Sequence, residues 1–157
     1  MTLLAIDPGT HESGFVIYDG RRVLQAGVLP NDEMLLRVRN STEDHLAIEM
    51  IASYGMAVGK DVFETCVWIG RFKEAFRTAY SRPSAQRVML VYRQAVKLHL
   101  CHTPRAKDTN IRQALIDRLG APGTKKNPGP TYGVTKHAWA ALAVAVTAVD
   151  TLLRRVA

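Results

Sequence analysis

The sequence predicts an α/β domain, and three features of its pattern carry the prediction. Three short apolar runs stand near the amino terminus, each closed by turn-forming residues, and they predict three antiparallel strands in a meander. Strands and helices then alternate through the middle of the chain, and helices complete it. This order is typical of a domain in which helices cover a sheet, although the pattern alone does not fix the strand order.

Turn sequences delimit the opening strands. Leu3–Ile6 is an apolar run that the sequence Asp7-Pro8-Gly9-Thr10 ends. Gly14–Tyr18 forms the second run, and the pair Asp19-Gly20 predicts a hairpin turn into a third strand at Arg22–Ala26.

The rest of the chain divides into further elements by the spacing of its apolar residues and by its helix caps. We predict a helix at Asn31–Asn40, a strand at Leu46–Ile48 and a helix at Asp61–Tyr80, which Arg82-Pro83-Ser84 ends. Extended segments at Val88–Tyr92 and Val96–Leu100 follow, then a helix at Thr109–Leu119 with Asp108 as its N-cap and Gly120 as its stop. After a loop at Gly123–Gly133, a closing helix is predicted at Lys136–Arg155, with Arg154 and Arg155 at its C-terminal end.

Length and composition narrow the class of protein. The 157 residues suit a single domain, 1–157, and 47% hydrophobic content is enough for a packed core. A net charge of +7 suggests a polyanionic partner such as nucleic acid. The two separated cysteines argue against a disulfide framework or a zinc site. With no signal peptide and no stretch long enough to span a bilayer, we expect a soluble, cytoplasmic protein, bacterial or phage-encoded.

Two carboxylates end apolar runs. Asp7 follows the first strand and Glu49 ends the fourth. Each has an ordinary interpretation, since Asp before Pro-Gly often forms a turn and a strand-end Glu often faces solvent. Together, however, two carboxylates at neighbouring strand ends could bind Mg²⁺, which prefers hard oxygen ligands. Two such ions can clamp the attacking and leaving oxygens of a phosphodiester.

Four segments, taken in order, resemble the RuvC family of Holliday junction resolvases. LAIDPGTHESGFVIYDG, which contains Asp7, is similar to the opening strand and turn of that family. LAIEM at residues 46–50 resembles its second catalytic motif, residues 96–120 resemble its strand, basic turn and helix, and HAWAALAVAVT at residues 137–147 resembles its last helix. The resemblance covers nearly the whole chain.

The resemblance implies a ribonuclease-H-like fold, with a mixed sheet and helices on both faces. It implies a Holliday junction endonuclease of DNA recombination, which makes symmetric paired nicks in four-way and other branched DNA as a homodimer. It implies two Mg²⁺ or Mn²⁺ ions per active site and an activated water that leaves ligatable nicks. Asp7, Glu49 and His137 would be catalytic metal ligands, and Lys97 would be a catalytic basic residue near the scissile phosphate.

Residue 140 departs from the family pattern. The family usually carries an Asp three residues after the position of His137, on the same helix face, and this chain has Ala140 there. The alanine could be natural or an inactivating substitution. Asp117 is a candidate replacement ligand, although a solvated residue is the more ordinary interpretation, and Asp150 lies too far along the helix to serve.

DNA contacts are predicted on two kinds of residue. The stretch after Glu49 carries Tyr54 and Met56, either of which could wedge into a junction or pack at a dimer interface. Basic residues near the proposed site could follow phosphates, although loop lysines are usually only solvated. The candidates are Lys60, Arg105, Lys107, Lys125, Lys126 and Lys136.

Rival functions stay open at this point. The chain could be a catalytically impaired protein that only binds branched DNA, which Ala140 would favour, or another ribonuclease-H-like nuclease that cuts flaps or hybrids. An ATP-binding protein would need a second glycine-rich phosphate motif, and the sequence has none. If the chain is a resolvase, Val67, Trp68 and Phe72 on the second helix are candidates for its dimer interface.

Overall fold

A computed structural model describes residues 1–79 and 88–153 of the chain. Within them a single five-stranded sheet has the strand order β3-β2-β1-β4-β5. The strands are β1 at Leu3–Asp7, β2 at Glu12–Tyr18, β3 at Val23–Pro30, β4 at His45–Met50 and β5 at Val88–Tyr92. The first three strands pair antiparallel, whereas β1, β4 and β5 run parallel to one another. The predicted α/β class and opening meander are therefore confirmed.

Helices cover both faces of the sheet, because alternate residues of its central strands point to opposite sides. Leu3 and Ala5 of β1 pack in one apolar cluster with three helices, α3 at Arg93–Cys101, α4 at Asp108–Leu119 and α5 at Ala138–Ala148. Leu4 and Ile6 face the opposite cluster, where α1 at Asn31–Arg39 and α2 at Lys60–Ala79 pack. Burial on both sides explains why β1 is a continuous apolar run rather than an alternating one.

The helix α5 is buried along almost its whole circumference. Every residue of Ala138–Ala148 is buried except Ala140, which is half-buried. A helix that is apolar all round belongs in the interior of a domain. It packs against β1 and β2 at the middle of the sheet. A π-helical turn, Val149–Leu153, extends it, and no helix among the described residues is both long and apolar enough to cross a bilayer.

The prediction of an extended segment at Val96–Leu100 is wrong, because these residues lie in α3. Val, Leu and Leu alternate there, which suggested a strand. Only Val96 is fully buried, Leu98 is largely exposed, and Leu100 and Cys101 pack against the core. Contacts at spacings of four and five residues fit a helix face, so tertiary packing overrides the alternation in this short segment.

Other boundaries move by smaller amounts. The third strand continues from the predicted Ala26 to Pro30. Lys107, rather than Asp108, takes the N-cap position of α4, since the Asp108 carboxylate pairs with Arg93 instead. The closing helix begins at Ala138. The predicted stop at 82–84, the last predicted residue of the second helix, Tyr80, and the pair Arg154 and Arg155 lie outside the described residues.

Candidate active site at the strand ends

Three parallel strands place polar side chains at one edge of the sheet. Asp7 is the last residue of β1, and Glu49 is the penultimate residue of its neighbour β4. Arg93 directly follows β5, which pairs with β4 so that Glu49 lies opposite Val91. Because β1, β4 and β5 run in the same direction, their carboxyl ends meet at this edge. The order of the strands therefore brings Asp7, Glu49 and Arg93 together.

A buried hydrogen-bond network fixes the turn that follows Asp7. The Asn31 side chain donates from Nδ2 to the Gly9 carbonyl at 2.9 Å, and its Oδ1 accepts a bond from the Ser13 hydroxyl at 2.6 Å. The Gly9 amide in turn donates to Ser13 Oγ at 3.4 Å. Ser13 and Asn31 are both buried. Since every polar group of this network has a partner, the turn is held rigidly beside the Asp7 carboxylate.

Gly14 lets His137 approach Asp7. In the antiparallel register Gly14 lies opposite Asp7, and a Cβ atom on it would meet the carbonyl carbon and oxygen of His137 at 2.4 Å. The missing side chain allows the start of α5 to lie directly on β2. As a result, Nδ1 of His137 comes within 3.1 Å of Oδ2 of Asp7, although the two residues are 130 positions apart in sequence.

The two carboxyl groups lie close enough to interact directly. Burial, together with a hydrogen bond to Asp7 and the charge of Asp7, raises the pKa of Glu49 from 4.5 to about 8. Burial also raises the pKa of Asp7, against the opposing effects of its bond with Glu49 and the charge of Arg93. Two carboxylates held this close in a buried place repel each other, and a cation between them would relieve the repulsion.

Arg93 is a cation already present in this cluster. Its Nη1 lies 3.3 Å from Oε1 of Glu49, and its Nη2 forms an ion pair with Asp108. The guanidinium thus bridges the end of β4 and the first residue of α4. Its side chain is 28% exposed, whereas that of Asp108 projects into solvent. The polar side chains form a continuous chain of contacts, which runs from His137 through Asp7, Glu49 and Arg93 to Asp108.

These side chains line an open cleft of about 740 Å³. Ala140 lines the same cleft, one helical turn from His137, as the predicted shared face of the last helix requires. Its methyl group supplies no metal ligand there. The remaining charged side chains of the lining are Glu12, Arg112 and Lys136.

The donor set fits a hard divalent cation at Asp7 and Glu49. Magnesium usually takes one or two protein carboxylates and completes its shell with water and substrate phosphate. The Asp7–Glu49 pair supplies two carboxylates, and His137 contacts one of them. In the described part of the chain, however, no three His, Cys, Asp or Glu side chains are arranged as a ready-made metal cage. The Asp7–Glu49 pair is therefore the part of the cleft that could hold a divalent cation.

Comparison with solved structures identifies the fold. Thermus thermophilus RuvC in complex with a Holliday junction substrate matches with a TM-score of 0.70 and 19% identity over 99% of this chain and 96% of that one. A second Thermus thermophilus RuvC structure matches with a TM-score of 0.67 and 20% identity over the same shares. The chain has the fold of RuvC. No protein-family model and no curated protein matches this sequence.

The likeness to RuvC confirms the predicted fold, a mixed sheet with helices on both faces, from one end of the chain to the other. At this level of identity it shows the fold alone. The roles predicted for Asp7, Glu49 and His137 consequently stay predictions, although the structure brings all three together. It does so through strand order and through the approach of α5 at Gly14, neither of which depends on the comparison.

Two residues predicted for the site do not line the cleft. Lys97 lies one turn beyond Arg93 on α3 and is half-buried. Its role near the scissile phosphate was implied by the resemblance to the RuvC family and stays a prediction. Asp117, the candidate replacement ligand, is exposed near the end of α4, where its carboxylate accepts a hydrogen bond from Gln113 at 2.7 Å. It therefore does not replace the ligand missing at residue 140.

The residues predicted to contact DNA are all exposed, but only some are near the cleft. Lys136 lines it, with its backbone in the left-handed region at φ 46°. Lys107 caps α4 next to Asp108. Tyr54 and Met56 project from the loop after β4, and Lys60 pairs with Glu64 on α2. The others lie on loops at either end of α4, namely Arg105, Lys125 and Lys126.

Sequence reasoning missed two arginines of the cleft. Arg93 follows an apolar strand, which is the same signal that pointed to Asp7 and Glu49, but an arginine is not a metal ligand and so did not fit the predicted metal site. Arg112 is exposed on α4, and its guanidinium lies 4.8 Å from the centre of the Trp139 ring. Helical spacing of charges alone does not distinguish such a residue from an ordinary solvated one.

Proposed function

We propose that this chain is a structure-selective endonuclease that resolves Holliday junctions and related branched DNA by paired, symmetric nicks. The observation that carries the proposal is the meeting of Asp7, Glu49 and His137 in one cleft of a RuvC fold. The solved RuvC that this fold matches was itself captured with a Holliday junction substrate. The net charge of +7 is consistent with a nucleic-acid partner.

The reaction would be the hydrolysis of one phosphodiester bond at each site. A water oxygen bonds to phosphorus, the bond from phosphorus to the 3′ oxygen breaks, and that oxygen takes up a proton. The products, a 5′ phosphate and a 3′ hydroxyl, can be rejoined by a ligase. Mg²⁺ or Mn²⁺, when bound, would supply the positive charge that stabilises the additional negative charge on the phosphate oxygens.

The residues of the cleft would have different roles in this hydrolysis. Asp7 and Glu49 would hold the cation at the rigid ends of β1 and β4. His137 contacts Asp7 at 3.1 Å and would orient that carboxylate or join it as a ligand. The sequence-based prediction of two ions per site would require further ligands, and the side chain of Ala140, in the cleft, provides none.

The exposed basic residues around the cleft would hold the DNA backbone. Lys136 and Arg112 line the cleft itself, and Lys107 lies at the start of α4 beside it. Contacts of lysine and arginine with phosphates are independent of sequence and weaken as salt rises. The exposed side chains of Tyr54 and Met56 would meet the bases near the branch point, where an apolar wedge can unstack them.

Paired nicking would need a homodimer, because residues 1–79 and 88–153 of each chain form one such cleft. The exposed face of α2 suits an interface, since Phe63 is 62% exposed and Val67 is 57% exposed. Trp68 lies half-buried next to them. Phe72, also predicted for this interface, is wholly buried in the core and stacks on Trp68 with ring centres 5.7 Å apart. Sedimentation with and without junction DNA tests the dimer, and a chain that stays monomeric on the junction would contradict it.

A second candidate function rests on Ala140. If the missing ligand abolishes catalysis, the chain would recognise branched DNA without cutting it. The two functions share the fold and the DNA surface, and they differ only in whether a divalent cation activates cleavage.

A cleavage assay separates the two candidates. A labelled synthetic four-way junction is incubated with the protein in Mg²⁺ or Mn²⁺, with residue 140 as Ala and, in the variant Ala140→Asp, as Asp. We expect the variant to cleave roughly tenfold faster, which corresponds to ~1.4 kcal/mol of transition-state stabilisation. Activity confined to the variant would support the binding-only function of the present chain.

Junction binding without metal is the matched control. We expect the protein to bind a four-way junction more tightly than a linear duplex of the same length, and to keep this preference as salt weakens binding to both. Equal affinity for junction and duplex at moderate salt would overturn the proposal in either form.

A further inference from the structure

Arg93 introduces a fixed positive charge where metal ions would otherwise have to supply it. Its guanidinium lies between Glu49 and Asp108, and its charge also acts on Asp7. Two contacts orient it, one from the strand β4 and one from the helix α4. It is therefore part of the architecture of the cleft rather than a surface side chain free to turn away.

The charges of the cleft match one divalent ion. The three carboxylates of the chain of contacts, Asp7, Glu49 and Asp108, carry three negative charges when ionised, and Arg93 offsets one of them. Counting every charged residue of the cleft, four acids face three bases, which leaves one negative charge. With one negative charge added by a phosphodiester, the count over the whole cleft becomes two negative charges, which one divalent ion balances and two divalent ions would exceed by two.

The side chains available as metal ligands also favour one divalent ion over two. Asp7 and Glu49 suffice for one hard cation that keeps several waters. A second ion would need its own carboxylate on the far side, but the Asp108 carboxylate is already paired with Arg93, and residue 140 is an alanine. Among the described residues no three acidic, histidine or cysteine side chains converge on one point as the ligands of a metal ion would.

We propose that each chain binds a single divalent cation, at Asp7 and Glu49, and that the guanidinium of Arg93 stands in the place of a second ion. This inference rests on the proposed function, since it describes how the same cleft neutralises a scissile phosphate. Arginine suits the task because it stays charged at any working pH and its planar N–H groups match phosphate oxygens. The cleft would then keep the two-cation arrangement with one metal and one side chain.

Counting bound Mn²⁺ tests this inference without any activity measurement. The metal-free protein is titrated with Mn²⁺ while electron paramagnetic resonance follows the signal of the free ion. We expect one Mn²⁺ per chain, with the spectrum of an isolated ion. A count of two, with the coupled spectrum of ions about 4 Å apart, would overturn the proposal. No binding at millimolar Mn²⁺ would overturn it as well.

A double variant tests the place assigned to Arg93. Arg93→Gln combined with Ala140→Asp removes the guanidinium and supplies a carboxylate, so we expect the count to rise from one ion to two. Ala140→Asp alone should still bind one ion, but more tightly. A double variant that folds, by its circular dichroism, and still binds one ion would overturn the role of Arg93. Arg39→Gln, at an exposed arginine outside the cleft, is the matched control and should leave the count unchanged.

The inference of one ion per chain and the proposed function can be disproved independently of each other. Two ions per chain with a preserved preference for four-way junctions would reject the single-ion inference and leave the proposed function standing. One ion per chain with equal affinity for junction and duplex would do the reverse.

Discussion

Carboxylates lie at both ends of α5, and their pKa values are shifted in opposite directions. Where the helix begins, His137 meets Asp7 and Glu49. Where the π-helical turn extends the helix, the Asp150 carboxylate lies 2.9 Å from Arg118 Nη2 and 2.9 Å from His99 Nε2. The arginine donates a hydrogen bond to it, and so does the histidine when Nε2 carries a proton. Both ends hold acidic groups close to the core. At the second end two donors face a single carboxylate, whereas at the first end Arg93 and His137 face two carboxyl groups that also face each other.

The pKa values of these carboxylates move in opposite directions. Burial raises the pKa of Asp150, but hydrogen bonds from Arg118 and His99 outweigh it, so the net change is downward. At the other end burial dominates, and the pKa of Glu49 rises to about 8. A carboxylate that is stable as an anion ties elements together, as Asp150 does. The raised pKa values at the first end show that Arg93 alone does not offset the two carboxyl groups there, which is consistent with the cation site proposed above.

The largest expected difference between the two ends is in cleavage. Asp7→Asn removes a proposed ligand and should lower metal-dependent cleavage of a four-way junction by at least about a hundredfold. Asp150→Asn, the matched change at the other end, should leave cleavage within about twofold. Single-turnover rates at saturating Mg²⁺ measure both. Equal losses in the two variants would mean that the ends do not differ in function.

Gly14→Ala tests whether the close contact between β2 and the start of α5 is needed for stability and for metal binding. The added Cβ would overlap the backbone of His137, which a side-chain rotation cannot relieve. We expect the start of α5 to shift, with a loss of about 1–3 kcal/mol in the free energy of unfolding and weaker Mn²⁺ binding. Chemical denaturation and a metal titration provide the measurements. Gly70→Ala, on α2 in open space, is the control and should cost nothing.

The raised pKa of Glu49 makes the stability of the metal-free protein depend on pH. The folded protein holds a proton that the unfolded chain releases near pH 4.5, so the stabilisation is complete below that pH and is lost as pH rises through about 8. Glu49→Gln should remove most of this dependence and raise the melting temperature at pH 9 by roughly 5 °C. Thermal melts in a chelator between pH 5 and 9 test it, and a wild-type melting temperature that rises over this range would contradict it.

Asp150→Asn should give the smallest change, and with the opposite sign. Loss of the charged bonds to Arg118 and His99 should lower the free energy of unfolding by about 1 kcal/mol, or roughly 2–4 °C in melting temperature, at neutral pH. The same melts that show Glu49→Gln stabilised at high pH should show this variant destabilised. Stabilisation of both variants would remove the distinction between the two ends of α5.

Sequence reasoning reached the carboxylates because strand ends are visible in a sequence. Apolar runs ending at Asp7 and Glu49 predicted where the side chains stand, and the one-turn spacing of His137 and Ala140 predicted a shared face. It rejected Asp150 as a ligand because of its distance along the helix, but it could not predict that Asp150 pairs with Arg118 and His99, since this pairing depends on how α3 and α4 pack. That packing involves Val96–Leu100, the segment whose five residues fit either period.

Arg93 shows a second reason why the sequence alone does not predict the whole site. Its position after the apolar run Val88–Tyr92 was as clear in the sequence as that of Glu49 after Leu46–Ile48, but its partner Asp108 was interpreted as a helix cap. Whether an acidic side chain caps its own helix or reaches an arginine depends on what the fold places beside it. The local pattern supports both outcomes, so only the assembled structure shows the guanidinium between two carboxylates.

The burial of α5 has a consequence for how this protein could change over time. Ten of its eleven residues are locked in the interior, so nearly any substitution there disturbs packing. Ala140 is the one half-buried residue of the helix, and it borders the cleft beside the buried Trp139. Under the proposed function, a single codon would therefore add or delete a ligand with little effect on folding, and a lineage would cross between cutting and merely holding a junction in one mutational step, in either direction.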